Sequence, residues 1–118
     1  MKDDRFYLLF INECIEKIRR YVGDSKSEFV NDEKTQDAVL RNLHVMTESI
    51  QRLSEEIKDK YPEVDWRAVS SFRNVIVHDY LGIDLNQIWD ILVRDIPSLQ
   101  NSVQTILKDL IADYPDLR

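Results

Sequence analysis

Residues 39–57, VLRNLHVMTESIQRLSEEI, decide the fold class. Val39, Leu43, Met46, Ile50, Leu53 and Ile57 recur there at spacings of four, three, four, three and four, which is the rhythm of one face of an α-helix. A stripe of this kind is usually the core seam of a helical bundle, and it predicts one long helix from about Asp32 to Asp59. Upstream, Tyr7, Ile11, Cys14, Ile18 and Tyr21 keep the same rhythm between about Asp4 and Val22, on a face widened by Leu8, Ile15 and Val22. Gly23-Asp24-Ser25 offers a helix stop, and the polar stretch to about Lys34 reads as a loop. Tyr61-Pro62 ends the long helix, because the residue before a proline avoids the helical region. Asp65 then caps a third helix, running from Trp66 to near Tyr80. A fourth begins around Asp84 and carries Ile88, Leu92, Ile96, Leu99, Val103, Ile106 and Leu110 through to about Ile111. Pro97 lies inside it and either kinks it or starts a fifth helix with Asp95 as the cap. The expected architecture is all-α: an up-and-down antiparallel bundle of four or five helices.

Composition agrees. The 118 residues suit a single domain spanning 1–118, and two glycines with three prolines are few for the many turns of an all-β chain. Sixteen Lys and Arg against 22 Asp and Glu give a net charge of −6, which excludes a protein that coats nucleic acid through a broad cationic surface. A local phosphate contact is still open to it. Cys14 is the only cysteine, so no intrachain disulfide or cysteine zinc site is available, and its apolar neighbours make it a core thiol. No stretch is apolar enough for a leader or a membrane span, and none pairs an apolar face with a Lys/Arg-rich one, so a cytoplasmic protein without membrane contact is expected.

There is no glycine-rich phosphate loop, no pair of histidines at metal-binding spacing and no nucleophile elbow, so neither cofactor nor metal is expected. One segment concentrates chemistry: Arg73-Asn74-Val75-Ile76-Val77-His78-Asp79-Tyr80. Asn74 and His78, four residues apart, share a helix face, so the amide can orient the imidazole and select its tautomer. Arg73 and His78 are offset by about 140° on an ideal helix, which is awkward for one shared ligand. Either the helix loosens near Leu81-Gly82, or a second subunit brings its own copies.

Arg73-(four residues)-His78-Asp79-Tyr80 resembles the Rx4HxY signature of HEPN-domain proteins, and the chain looks most like the HepT toxins of HEPN/MNT toxin–antitoxin modules. The likeness covers nearly the whole chain. Arg41-Asn42-Leu43, Glu48-Ser49, Arg52-Leu53-Ser54, Lys60-Tyr61-Pro62, Trp66-Arg67 and Trp89 fall in the family's usual order around the motif. One departure is Thr47, where many relatives carry glycine. The resemblance implies a metal-independent endoribonuclease that acts on cellular tRNA or mRNA as a symmetric homodimer, with Arg73 and His78 catalytic. It further implies a partner nucleotidyltransferase that neutralises the toxin by adenylylating the motif tyrosine, here Tyr80.

The residue chemistry suits that role. RNA cleavage through its own 2′-hydroxyl needs a base, an acid and positive charge on the phosphorane. An imidazole, with an ordinary pKa near ~6.5, serves as either acid or base, and a guanidinium grips phosphate oxygens at two points. The chain holds only His44 and His78, and His44 lies on the second helix without Arg-Asn company, where a structural role is expected. A two-fold dimer, with the third helix and the start of the fourth as its interface, is the economical source of two imidazoles. Asp79 reads as an exposed carboxylate or an imidazole partner. Plainer readings stand beside these: Arg73 as a surface ion pair, His78 as a satisfied helix-end histidine, Tyr80 as a packed ring. A second function is also open, that of a non-catalytic binding partner or substrate-presenting subunit of a nucleotidyltransferase.

Overall fold

The apolar faces read from the sequence pack against one another in a computed structural model that describes residues 2–77 and 84–113. Among these residues every regular element is helical: α1 (Lys2–Val22), α2 (Lys26–Val30), α3 (Glu33–Gln51), α4 (Glu55–Lys60), α5 (Trp66–Val77), α6 (Leu85–Asp90), a π-helical turn (Ile91–Asp95) and α7 (Ile96–Asp113). α1 packs on α3 and α7, and α3 packs on α5. Contacts between opposite ends set the directions. Asp4 at the start of α1 reaches Ser54 beyond the end of α3, and Arg19 near the end of α1 donates to Gln100 early in α7. The long helices therefore alternate up and down. Among the described residues, no helix is long and apolar enough to cross a membrane.

Most of the set the periodicity selects forms the core, with exceptions at the ends of the α1 face: Tyr7 is half-buried and Tyr21 is exposed. Ile11, Cys14 and Ile18 of α1, the whole Val39-to-Ile57 stripe and the Ile88-to-Leu110 stripe are buried. Thr47, the departure from the family pattern, is also fully buried, and its hydroxyl donates to the carbonyl of His44 at 2.8 Å. Its extra atoms are satisfied within the helix that carries them. Burial also pushes the Cys14 thiol up to about 11, because the thiolate has no water there.

Three local features differ from the expected boundaries. The long second helix is broken: α3 ends at Gln51 and α4 starts at Glu55, with Ser54 as its N-cap accepting from the Ile57 N–H at 3.2 Å. The buried Asp4 carboxylate accepts from both the Ser54 N–H (2.8 Å) and hydroxyl (2.6 Å), tying the break to α1. Leu53 and Ile57 stay in the core across it, so the stripe keeps its phase although the backbone turns. The expected loop to Lys34 contains α2, capped by Ser25 and anchored by Phe29, whose buried ring lies 5.8 Å from that of Trp89. Five residues are too few for periodicity to register. Pro97, finally, does not start a new helix. Asp95 lies inside the π turn instead of capping one, and the Ile96 N–H bonds back five residues to the Ile91 carbonyl. The proline lacks an N–H for the carbonyl four residues earlier, and the wider turn accommodates that loss without leaving the helix.

Gly23, at φ +65°, follows α1 as its left-handed terminator, and a Cβ there would meet nothing within 4 Å. Gly23→Ala therefore tests conformation alone: we expect a loss of about 1 kcal/mol in urea unfolding. Ser54→Ala removes a cap and a bond to a buried carboxylate, and we expect it to cost about 2 kcal/mol by the same measurement. For Cys14 the raised pKa sets the sign. Between 9.0, its ordinary value, and about 11 the folded chain holds a proton that the unfolded chain has released. Stability should fall as pH rises through that window, and less steeply in Cys14→Ala.

Candidate active site

The helix that carries the motif is aimed by contacts at its start. Asp65 caps α5, accepting from the Ala68 N–H at 3.0 Å, as the sequence predicts. The preceding turn is held by Tyr61, whose carbonyl accepts from the Trp66 indole N–H at 3.1 Å. The buried Tyr61 hydroxyl donates to Asp109 of α7 at 2.6 Å, and Lys60 pairs with Asp113 at 3.0 Å. Burial and the Asp109 carboxylate raise the Tyr61 pKa well above the usual phenol value. Val69 and Phe72 then lie in the core and fix the rotation of α5 about its axis.

That rotation leaves Arg73 and Asn74 exposed side by side near the end of α5. Arg73 makes no ion pair or hydrogen bond among the described residues, so the surface ion-pair reading finds no partner there. His78, Asp79 and Tyr80, the other residues predicted for the site, lie outside the described residues. The chain resumes at Asp84, which caps α6 by accepting from the N–H groups of Asn86 (3.1 Å) and Gln87 (3.2 Å).

His44 is placed apart from Arg73 in sequence and on another helix, α3. Its Nε2 lies 2.9 Å from Glu48 one turn on, and its Nδ1 is buried without a partner among the described residues. This intrahelical pairing accords with the structural role expected of it. Among the described residues no group of three His, Cys, Asp or Glu side chains is placed to hold a metal ion. Sequence reading missed one surface: Phe6, Leu9 and Phe10 of α1 are exposed apolar side chains. They lie outside the Ile11-Cys14-Ile18 stripe that explained the helix, and periodicity has no further signal to give about them.

An all-α bundle whose third long helix presents an exposed arginine and asparagine at the head of an Rx4HxY motif defines a HEPN-type protein. Residues 11–106 match the family described as ribonuclease HepT-like, and the chain belongs to that family. It is 36% identical over 110 residues to the "Putative RNase MJ0127" of Methanocaldococcus jannaschii, covering 92% of this chain and 91% of that protein. It is 34% identical over 103 residues to the "Probable ribonuclease HepT" of Thermococcus cleftensis, covering 86% and 94%. A further relative, the "Putative RNase TTE0752" of Caldanaerobacter subterraneus, is 33% identical over 109 residues, covering 92% and 97%. No solved structure matches the chain.

The Tyr61–Asp109 bond gives a direct test of how α5 is aimed. Tyr61→Phe keeps the ring and strands a carboxylate, and we expect a loss of about 1–2 kcal/mol in denaturant unfolding with helical content unchanged.

Proposed function

We propose that this chain is a metal-independent endoribonuclease and the toxin of a HEPN/MNT toxin–antitoxin module. The observation that carries the reading is the exposed Arg73, without an ion pair or hydrogen bond among the described residues, heading Arg73-(four residues)-His78-Asp79-Tyr80 in a chain of the HepT-like family. Relatives named as ribonucleases over nearly their full length support it.

The working unit is a homodimer that brings two motif segments to one scissile phosphodiester. One His78 takes the proton of the ribose 2′-hydroxyl, whose oxygen attacks phosphorus. The other His78 gives a proton to the departing 5′-oxygen, leaving a cyclic phosphate and a free 5′-hydroxyl. The two Arg73 guanidinium groups bind the non-bridging oxygens as charge builds on the phosphorane. Asn74 and Asp79 orient the imidazole. Neutralisation follows when a cognate nucleotidyltransferase transfers AMP from ATP to the Tyr80 hydroxyl and releases pyrophosphate. The added bulk and negative charge exclude RNA from the cleft. The exposed Phe6-Leu9-Phe10 face of α1 supports the second reading, a binding partner of such an enzyme without catalysis of its own.

Purified protein should cleave RNA in EDTA, with Arg73→Ala and His78→Ala each lowering the rate by about 10²-fold or more and leaving the dimer intact on sizing with light scattering. Undiminished cleavage by both variants would remove the site. Expressed alone, the chain should arrest bacterial growth, and its neighbouring nucleotidyltransferase should relieve the arrest for wild type but not for Tyr80→Phe. Harmless expression of the wild-type chain would favour the binding-partner reading.

A further inference from the structure

Charge is distributed unevenly over the helices. In an acidic protein, α5 holds two arginines and no carboxylate, and no other helix among the described residues combines cations with an absence of acids. The second arginine is Arg67, one residue into the helix and exposed. Glu63 and Asp65 stand just before the helix, yet Arg67 makes no ion pair or hydrogen bond among the described residues. An arginine that stays unpaired among the described residues, with two carboxylates shortly before it in the sequence, is not explained by the fold, since Val69 and Phe72 already fix the helix.

Its place on the helix is informative. Seven residues separate Arg67 from Asn74, a rotation that returns to within about 20° of the same face, with a rise of about 10.5 Å. Arg73 lies about 120° from Arg67, and Ser70 sits midway between them. Trp66 also falls within this arc, but it is half-buried against the core, with its indole N–H turned onto the Tyr61 carbonyl. Ser70 is short, and the hydroxyl of the neighbouring Ser71 is turned back onto the Ala68 carbonyl of its own helix. The result is a low polar track with a cation at each end. By contrast, the cleft of about 460 Å³ beside Leu85, where the chain returns from the motif, is walled by Glu33 and Asp37 and repels phosphate.

We infer that Arg67 is a phosphate-positioning residue, holding the RNA backbone along α5 at a phosphate next to but distinct from the scissile one. The inference rests on the ribonuclease reading and deepens it: the substrate is single-stranded RNA longer than a dinucleotide, laid along α5. The two arginines are six residues apart, a rise of about 9 Å, which exceeds the separation of adjacent phosphates, so a single phosphodiester does not reach both ends of the track. Arg67 does no chemistry, and its contribution is to binding and register.

The test pairs a dinucleotide with a single-stranded decanucleotide. Wild type, Arg67→Ala and Arg67→Lys are compared for cleavage of both, and for binding of a 2′-O-methylated decanucleotide that resists cleavage. Arg67→Ala should raise KM and Kd for the decanucleotide about tenfold with kcat unchanged, and should leave dinucleotide cleavage as it is. The slope of log Kd against log salt should fall by about 0.7, the value for one phosphate contact on a single strand, and Arg67→Lys should recover most of both effects. Equal binding and an equal salt slope in Arg67→Ala would overturn the assignment while wild-type cleavage, lost in Arg73→Ala, leaves the ribonuclease reading standing. A variant that shifts the monomer–dimer balance would make Arg67 an interface residue and overturn it too. Wild type that neither binds nor cleaves the decanucleotide would sink the ribonuclease reading itself.

Discussion

The buried carboxylate of Asp4 is what closes this bundle. It accepts two hydrogen bonds from Ser54, fifty residues away, at the point where α3 stops and α4 begins. A buried charge is tolerated only when its oxygens are satisfied, so the contact dictates both ends at once. The start of α1 must lie beside the end of α3, and the chain must turn at Ser54. The turn delivers Tyr61 to Asp109, which sets where α5 begins, and the burial of Val69 and Phe72 then sets how it is rotated. The exposure of Arg73 and Asn74 is thus the far end of a chain of contacts that starts on a different helix.

The same arrangement answers a question posed by charge. A protein with a net charge of −6 is repelled by polyanions at long range, so any grip on RNA must be local and short-ranged. α5 suits that requirement: it has no carboxylate along its length, and its arginines make no ion pair or hydrogen bond among the described residues. A pair of guanidinium groups already neutralised within the fold would have little affinity to offer a phosphate. Symmetry in the proposed dimer would double the local cationic charge without changing the acidic remainder of either chain.

The ordinary features of the fold make room for this. Thr47 enters the core by satisfying its hydroxyl within α3, and Pro97 is absorbed by a π turn in place of a break. Both are local departures resolved locally, and neither disturbs the register of the stripes that hold α5.

The helix faces, the all-α class and the motif were legible in the sequence, because burial in a bundle imposes a local period and a motif is a local pattern. The Asp65 cap and the helix starts near Asp32 and Asp84 were legible for the same reason, since each of these caps bonds within three residues of itself. The break at Ser54 was not legible, because the apolar rhythm keeps its phase through it. Of the candidate site, residue types and spacing were readable, and for Arg73 and Asn74 their outward placement was not. Tertiary structure alone decided that exposure, the break at Ser54 and the anchoring of α2 by Phe29. Each depends on a partner tens of residues away, and a hydrogen bond or a packed ring at such separation leaves no trace in the spacing of neighbouring residues.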